Sequence, residues 1–231
     1  MSKSPRFDGV VWFIKEGIAP SRCVGCGKVG TWLCTDCASQ ILFLKVQNCY
    51  RCGRLMPRGR TCDNCRRQTN LDGVVVATHF EIGPIRELIH ELKYSGTVEL
   101  ANLLGAMLVR TILVNELADF VLVPVPLHGK RIIERGFNQA ELLTRQIIER
   151  TGMETELILS RVKATLSQTK LTRVERLRNI SGAFECRVAL EGINILLVDD
   201  VMTTGATLEE CAKTLKRAGA KRVWGVVVAR G

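Results

Sequence analysis

One segment near the C-terminus, residues 195–207, constrains the fold more than any other. It reads Ile-Leu-Leu-Val-Asp-Asp-Val-Met-Thr-Thr-Gly-Ala-Thr. An apolar run is followed by two adjacent carboxylates and then by a turn rich in threonine. The run predicts a buried strand, and a helix is predicted to follow over residues 208–215. Because a wholly apolar strand requires cover on both of its faces, the segment favours an α/β fold with a parallel sheet.

The turn in this segment has the chemistry of a sugar-phosphate site. Free N–H groups at the start of a helix attract a phosphate, and Gly205 allows a close backbone approach. Neighbouring carboxylates on a strand can both reach a cleft if the strand ends there, and they would repel a phosphate. We therefore expect them to bind vicinal sugar hydroxyls, or a Mg²⁺ ion that arrives with the ligand. A buried turn with a threonine cap is the alternative, but it leaves the acidic pair unexplained.

The same segment resembles the signature with which type I phosphoribosyltransferases bind phosphoribosyl pyrophosphate (PRPP). The match is Asp-Asp-Val-x-Thr-Thr-Gly-x-Thr after an apolar strand. The resemblance implies a mostly parallel, twisted sheet of Rossmann-like architecture and a site for PRPP with Mg²⁺. The predicted PRPP-binding residues are Asp199, Asp200, Thr203, Thr204, Gly205, Ala206 and Thr207.

Eight of the ten cysteines form four Cys-x-x-Cys pairs near the N-terminus. These are Cys23/Cys26, Cys34/Cys37, Cys49/Cys52 and Cys62/Cys65. Each pair can place two thiolates on one metal ion, and two pairs complete a tetrahedral site, so two structural Zn²⁺ ions are predicted. The pairs can combine in sequence, or the first can combine with the third. Disulfides are disfavoured because no secretory apolar segment precedes the cysteines. Cys186 and Cys211 are predicted to be small core residues.

The cysteine pairs predict a first domain over residues 1–70 and an α/β domain over residues 71–231. A short amphipathic helix is expected within residues 1–20, and residues 66–70 are typical of a linker. In the second domain, alternating patterns predict strands at 73–80, 120–125, 157–159, 193–198 and 223–228. Helices are predicted at 85–92, 98–113 and 139–148, besides the one at 208–215.

Two further segments are expected to face the same crevice, because ligands collect at the carboxyl ends of parallel strands. Residues 128–139 resemble the pyrophosphate loop of the type I enzymes, and a solvated basic turn is the alternative. The residues that would bind pyrophosphate are Lys130, Arg131, Arg135 and Gly136. Lys93 and Tyr94 interrupt two helical patterns; Lys93 would approach phosphate and Tyr94 would stack on a base, unless the segment is a plain helix–helix turn.

Residues 161–184 form a long polar stretch just before the signature strand. Type I enzymes carry a flexible catalytic hood at this place, and the positive charge also suits a nucleic-acid backbone. The predicted DNA-binding residues are Arg161, Lys163, Lys170, Arg173, Arg176 and Arg178.

Taken together, these motifs resemble the ComF family of natural-competence proteins. The match rests on the four cysteine pairs, Leu92-Lys93-Tyr94-Ser95-Gly96, Pro124-Val125-Pro126-Leu127, Arg135-Gly136-Phe137-Asn138-Gln139, Ser167-Gln168 followed by Leu171, and the segment from Val198 to Thr207. The resemblance implies an N-terminal double zinc ribbon and a cytoplasmic protein required for transformation. It also implies that the protein handles incoming single-stranded DNA, near the inner-membrane uptake channel and its helicase.

Three functions fit these features: a DNA-handling protein with a ribose-phosphate pocket, an active phosphoribosyltransferase with a nitrogenous acceptor, and a PRPP sensor. A transferase usually needs a group that accepts a proton. None of His79, His90 and His128 has a convincing partner in the sequence. His128, near the basic loop, is the best candidate of the three and Asp200 is an alternative base, so catalytic residues stay unassigned.

The net charge agrees with a polyanionic partner without deciding which one. The chain of 231 residues carries a formal charge of +10. Two Zn²⁺ ions held by eight thiolates would lower this to about +6, which falls short of a dedicated nucleic-acid coat. The sequence contains no apolar run long enough to predict a membrane span.

Overall fold

Four parallel strands form the central sheet of the computed structural model, which describes residues 20–163 and 179–231. The strands, in chain order, are β1 (Gly73–His79), β2 (Val121–Pro124), β3 (Leu159–Arg161), β4 (Phe184–Cys186), β5 (Asn194–Met202) and β6 (Arg222–Arg230). The central sheet has the order β1-β6-β5-β2, and β3 pairs with β4 in a separate antiparallel ribbon. In register, Val121 lies opposite Ile195, and Asn194 lies opposite Arg222.

Five of the seven helices in the described residues lie between strands along the chain, as expected of an α/β fold, and the two short ones precede β1. In chain order, the helices are α1 (Thr35–Ser39), α2 (Asp63–Arg66), α3 (Ile85–Ser95), α4 (Val98–Val114), α5 (Gly129–Arg135), α6 (Gln139–Thr151) and α7 (Ala206–Arg217). Asn138 caps α6 by accepting a hydrogen bond from the backbone N–H of Ala140 at 3.0 Å. Gly152 ends the same helix in the left-handed region, with φ of 67°. The predicted α/β fold is confirmed.

The two faces of the sheet bury separate apolar clusters, because successive strand residues face opposite sides. On one face, Leu196 and Val198 of β5 pack with apolar residues of α3, α4 and α6. On the other face, Ile195 and Leu197 pack with α7 and with the β3–β4 ribbon. This two-sided burial explains why β5 and β6 are almost continuously apolar in sequence.

The chain between the two groups of cysteines covers the edge of the sheet at β1. The Gln47 side chain donates to the carbonyl of Val76 and accepts from its N–H, both at 3.0 Å, so the amide takes the place of a neighbouring strand. The N–H of Leu44 donates to Ala77 O at 2.9 Å, and the Thr78 hydroxyl donates to Leu42 O at 2.7 Å. An exposed strand edge would pair with other chains, and this segment blocks it.

Several local expectations differ from the structure. The short strand expected at 157–159 is β3, which lies outside the central sheet and pairs with β4. Residues 129–135, expected as a turn, form helix α5. The expected linker at 66–70 is anchored instead, because Thr69 and Asn70 both bind the carboxylate of Glu209. The amphipathic helix expected within residues 1–20 lies almost wholly outside the described residues.

Candidate functional site

A cavity of about 710 Å³ opens beside β2 and β5. It lies next to the carboxyl ends of these strands, where Val125, Pro126 and Leu127 follow β2 and Val201 lies near the end of β5. The other lining residues are polar or charged: Lys93, Tyr94, Arg131, Glu134, Arg135, Gln139, Arg161, Asp199, Thr203 and Thr207. Four segments that are distant in sequence thus share the wall of this cavity: residues 93–94, 125–139, 161 and 199–207.

The acidic pair is divided between the cavity and the protein interior. Asp199 lines the cavity, whereas Asp200 is 3% exposed and its Oδ2 lies 2.7 Å from the Nζ atom of Lys93. The expectation that the strand ends at the pair is not met, since β5 continues to Met202 and its alternation separates the two side chains. Asp200 is absent from the cavity lining, but its ion-pair partner Lys93 is part of it.

Two neighbouring carboxylates in a partly buried position influence each other's ionisation. Burial raises the pKa of Asp199 well above its ordinary value, and the adjacent Asp200 raises it further. The backbone N–H of Asp200 opposes this effect by donating to Asp199 Oδ1 at 2.9 Å. Asp199 is consequently a carboxyl group that holds a bound proton more firmly than usual.

The threonine-rich turn lies at the start of α7. Thr203 is exposed and Thr207 is half-buried, and both line the cavity. The Thr204 hydroxyl accepts from the N–H of Ala206 at 3.4 Å, and Gly205 has φ of 78°. Most side chains are strained at this φ, so glycine is favoured here. Thr204, Gly205 and Ala206 belong to the same turn but are absent from the cavity lining.

The basic loop contains an unexpected helix, α5. The ring of His128 caps it by accepting from the N–H of Lys130 at 3.2 Å, and Gly136 ends it with its N–H donating to Ile132 O at 2.7 Å. Arg131 and Arg135 line the cavity, whereas Lys130 and Gly136 are exposed and absent from its lining. The amide of Gly136 is used within the helix.

Sequence reasoning missed Glu134 and Gln139, which also line the cavity. Gln139 Oε1 accepts from the guanidinium of Arg135 at 3.0 Å. A signal for Glu134 existed, because positions 131, 134 and 135 are one helical turn apart and share a face. It was hidden by the interpretation of this stretch as a turn.

Lys93 and Tyr94 belong to the last turn of α3, which continues to Ser95 and ends at Gly96 with φ of 60°. The Tyr94 side chain is 70% exposed, and its ring centroid lies 4.5 Å from that of His90. An exposed ring at the rim of a cavity offers a face for a planar ligand.

Of the predicted DNA-binding residues, Arg161 and Lys163 lie in the described part of the chain. Arg161 lines the cavity, and its guanidinium lies 5.5 Å from the ring centroid of Phe184. Burial and then the positive charge of Arg131 lower the pKa of Arg161. Lys163 Nζ donates to Ser181 O at 3.2 Å. The remaining four, Lys170, Arg173, Arg176 and Arg178, fall outside the described residues.

The cysteine pairs combine in sequence, which decides between the two pairings left open above. Cys23, Cys26, Cys34 and Cys37 form one group and Cys49, Cys52, Cys62 and Cys65 form another, with sulfur atoms within 4.8 Å of each other in each group. The N–H of Cys34 donates to Cys23 Sγ at 3.3 Å, and this backbone donor is the main cause that lowers the pKa of Cys23 to about 6. Four convergent sulfurs, one of which accepts a backbone N–H, fit a tetrahedral Zn²⁺ ion. Cys211 is buried in the core, and Cys186 is half-buried.

Comparisons with known proteins agree with this architecture. A double zinc ribbon domain matches residues 15–66, and a phosphoribosyl transferase domain matches residues 105–231. The chain is 31% identical to the DNA utilization protein YhgH of Salmonella typhi over 225 residues, covering 93% of this chain and 94% of that protein. It is also 31% identical to Competence protein F of Haemophilus influenzae, covering 89% and 96% of the two chains. The chain belongs to the ComF family.

The third relative shows the same family with a lower coverage. Competence protein ComFC of Bacillus subtilis is 30% identical over 194 residues, covering 81% of this chain and 79% of that protein. The ComF-family chain thus combines a double zinc ribbon with a phosphoribosyltransferase-like domain. In the part of the chain that the structure describes, no helix has the length and apolarity needed to cross a bilayer.

Proposed function

We propose that this chain handles single-stranded DNA during natural transformation in the cytoplasm, and that its cavity binds PRPP or a related ribose phosphate with Mg²⁺. One observation carries the proposal. A carboxylate, threonine hydroxyls at a helix start and arginine side chains line the same cavity, at Asp199, Thr203, Thr207, Arg131 and Arg135. The carboxylate suits ribose hydroxyls, and the helix start and the guanidinium groups suit phosphates.

The charges in the cavity support an anionic ligand. Arg131 is close enough to Arg161 that its positive charge lowers the pKa of Arg161. Gathering like charges costs free energy in the empty protein, and a phosphate between them would offset that cost. Tyr94 at the rim supplies an aromatic face for a base, as in proteins that stack single-stranded nucleic acids.

Titration calorimetry with ribose 5-phosphate, and with PRPP plus Mg²⁺, tests the pocket. We expect the native chain to bind both ligands and Asp199→Ala to lose most of the affinity. Asp119→Asn is a matched control, since Asp119 is exposed and precedes β2 at the opposite end of the sheet. Equal binding by Asp199→Ala and the native chain would refute the assignment of the pocket.

Salt dependence tests the DNA-handling part. Replacing Lys163, Lys170, Arg173, Arg176 and Arg178 with alanine removes positive charge without altering the cavity lining of the described residues. If these residues bind phosphates, the slope of log K against log salt for an oligonucleotide becomes shallower by about 0.7 for each phosphate that the variant no longer neutralises. An unchanged slope would move the DNA surface elsewhere on the chain.

A second function, transfer of ribose 5-phosphate to a nitrogenous acceptor, is favoured by one further observation. Asp199, with its raised pKa, and Glu134 line the same cavity. A carboxyl group with a raised pKa is suited to accepting a proton from an attacking nitrogen. Incubation with PRPP, Mg²⁺ and a panel of bases, amines and oligonucleotides should release pyrophosphate if the chain is a transferase. Binding without release favours the DNA-handling function.

A further inference from the structure

The second cysteine group lies against the phosphate-binding turn, and Tyr50 forms the contact. Tyr50 lies between the metal-ligand positions Cys49 and Cys52, yet it is 6% exposed and belongs to the apolar cluster that contains Met202, Ala206 and Leu208. The carbonyl of Tyr50 accepts from the guanidinium of Arg230 at 2.8 Å. The knuckle of the second zinc ribbon is thus built into the core of the other domain.

The ring of Tyr50 packs directly on Gly205, the residue at the centre of the turn. A Cβ atom at Gly205 would lie 3.2 Å from the ring carbons Cδ2 and Cε2. The turn therefore has two sides: Thr203 and Thr207 face the cavity, and the backbone at Gly205 rests on the tyrosine ring. Moving the ring away would leave a space behind the turn.

The hydroxyl of Tyr50 holds the first turn of α7 through Glu209. Tyr50 donates to Glu209 Oε2 at 2.9 Å, and Thr69 binds the same oxygen. The other oxygen, Oε1, accepts from the backbone N–H and the side-chain amide of Asn70 at 2.7 Å and 2.8 Å. Glu209 in turn donates its N–H to Gly205 O at 2.9 Å.

We propose that Tyr50 is a positioning residue through which the second zinc ribbon fixes the phosphate-binding turn at residues 203–207. The inference deepens the proposed function, on which it rests for the identity of the ligand. The turn must present its N–H groups in one arrangement to hold a phosphate, and a turn that must first become ordered binds more weakly. Among the described residues, none in the second ribbon lines the cavity. The ribbon would nevertheless contribute to binding, because it holds the turn in place.

Tyr50→Ala and Tyr50→Phe separate positioning from a general structural role. In Tyr50→Ala we expect the amides of residues 203–209 to exchange hydrogen about tenfold faster, and the affinity for ribose 5-phosphate to fall about tenfold. Tyr50→Phe keeps the ring on Gly205 and removes only the hydroxyl. Because Glu209 keeps its bonds to Thr69 and Asn70, this variant should recover most of both quantities. A merely structural role would instead speed exchange across β5 and β6 as well.

Arg51→Ala is the matched control, because Arg51 lies in the same knuckle but is exposed and donates to Gln68 O at 2.8 Å. It should leave exchange and affinity unchanged, and all variants should retain two zinc ions. Native exchange of residues 203–209 in Tyr50→Ala overturns the positioning role whether or not any ligand binds. Failure of the native chain to bind ribose 5-phosphate overturns the proposed function alone, since the exchange measurement needs no ligand.

Discussion

At the scale of single residues, Asp199 and Asp200 are neighbours in the chain with opposite surroundings. Asp200 is buried and its charge is compensated by Lys93 at 2.7 Å. Asp199 faces the cavity, with a pKa raised by burial and by Asp200. Asp200 is therefore paired inside the protein, whereas ionisation of Asp199 is unfavourable in the ligand-free protein.

Asp199→Asn should make the ligand-free protein more stable at neutral pH. A raised folded-state pKa means that ionised Asp199 costs stability above the pKa of the unfolded chain, and asparagine removes this cost while keeping the acceptor for Asp200 N–H. We expect Tm to rise by a few degrees, since 1 kcal/mol corresponds to about 2–4 °C in a chain of this size. The gain should shrink as pH falls toward about 4, the unfolded pKa of aspartate. A lower Tm for the variant at pH 7 would contradict this reasoning.

Lys93→Met should be strongly destabilising, because it leaves the buried Asp200 carboxylate without its partner. We expect the free energy of unfolding, measured with urea at pH 7, to fall by about 3 kcal/mol. The double variant Lys93→Met, Asp200→Asn removes both charges and should recover most of the loss. If the losses of unfolding free energy in Lys93→Met and in Asp200→Asn sum to the loss in the double variant, the two side chains do not interact.

At the scale of elements, the sheet is protected at β1 by a side chain instead of a strand. Gln47 is 6% exposed and satisfies both backbone groups of Val76. The flanking contacts of Leu44 and Thr78 continue the same cover. The segment between the zinc ribbons thus forms hydrogen bonds with the edge of β1, as a fifth strand would, although it is not a strand itself.

Gln47→Ala should therefore destabilise the chain and expose a strand edge. Leaving the buried N–H and C=O of Val76 without partners costs about 1–3 kcal/mol for each group that water does not reach. Urea unfolding should show the loss, and light scattering should show faster aggregation near the midpoint. Gln40→Ala, at an exposed position of the same region, should change neither quantity.

Elements were predicted from the sequence where a short-range pattern decides them. The apolar runs at β5 and β6 predict strands because both faces of these strands are buried, and the sequence places the Asp-Asp and Thr-rich segments near one crevice for the same reason. Helix α5 was not predicted, because its sequence has the composition of a basic loop. Ile133 in this helix is 84% exposed, so the helix lacks the buried apolar stripe that would have indicated it. The contact between Tyr50 and Glu209 joins residues 159 positions apart, and no local pattern in one sequence contains that information.

At the scale of the whole molecule, the two zinc ribbons attach to opposite faces of the same sheet. Val24, Trp32 and Leu33 of the first ribbon pack on the cluster with α3 and α4. Tyr50 of the second ribbon packs in the cluster with α7. Because small zinc modules fold only with metal bound, each ribbon links the stability of one face to its ion.

Removing zinc should thus weaken the α/β domain as well as the ribbons. We expect a chelator to lower the Tm of the helical circular dichroism signal by several degrees, in one cooperative transition. Cys52→Ser should retain one zinc ion per chain, whereas Cys186→Ser, outside both groups, should retain two. An unchanged Tm after both ions are removed would mean that the ribbons contribute nothing to the sheet.

The packing of Tyr50 on Gly205 also narrows the choice of amino acid at the turn. The φ of 78° by itself disfavours most side chains, although asparagine adopts this region at a modest cost. The aromatic ring removes that tolerance, because a Cβ atom would crowd it at 3.2 Å. The backbone conformation and the tyrosine ring of the zinc ribbon thus both favour glycine at position 205, for unrelated reasons. A change of sequence on one side of this contact would therefore require a matching change on the other.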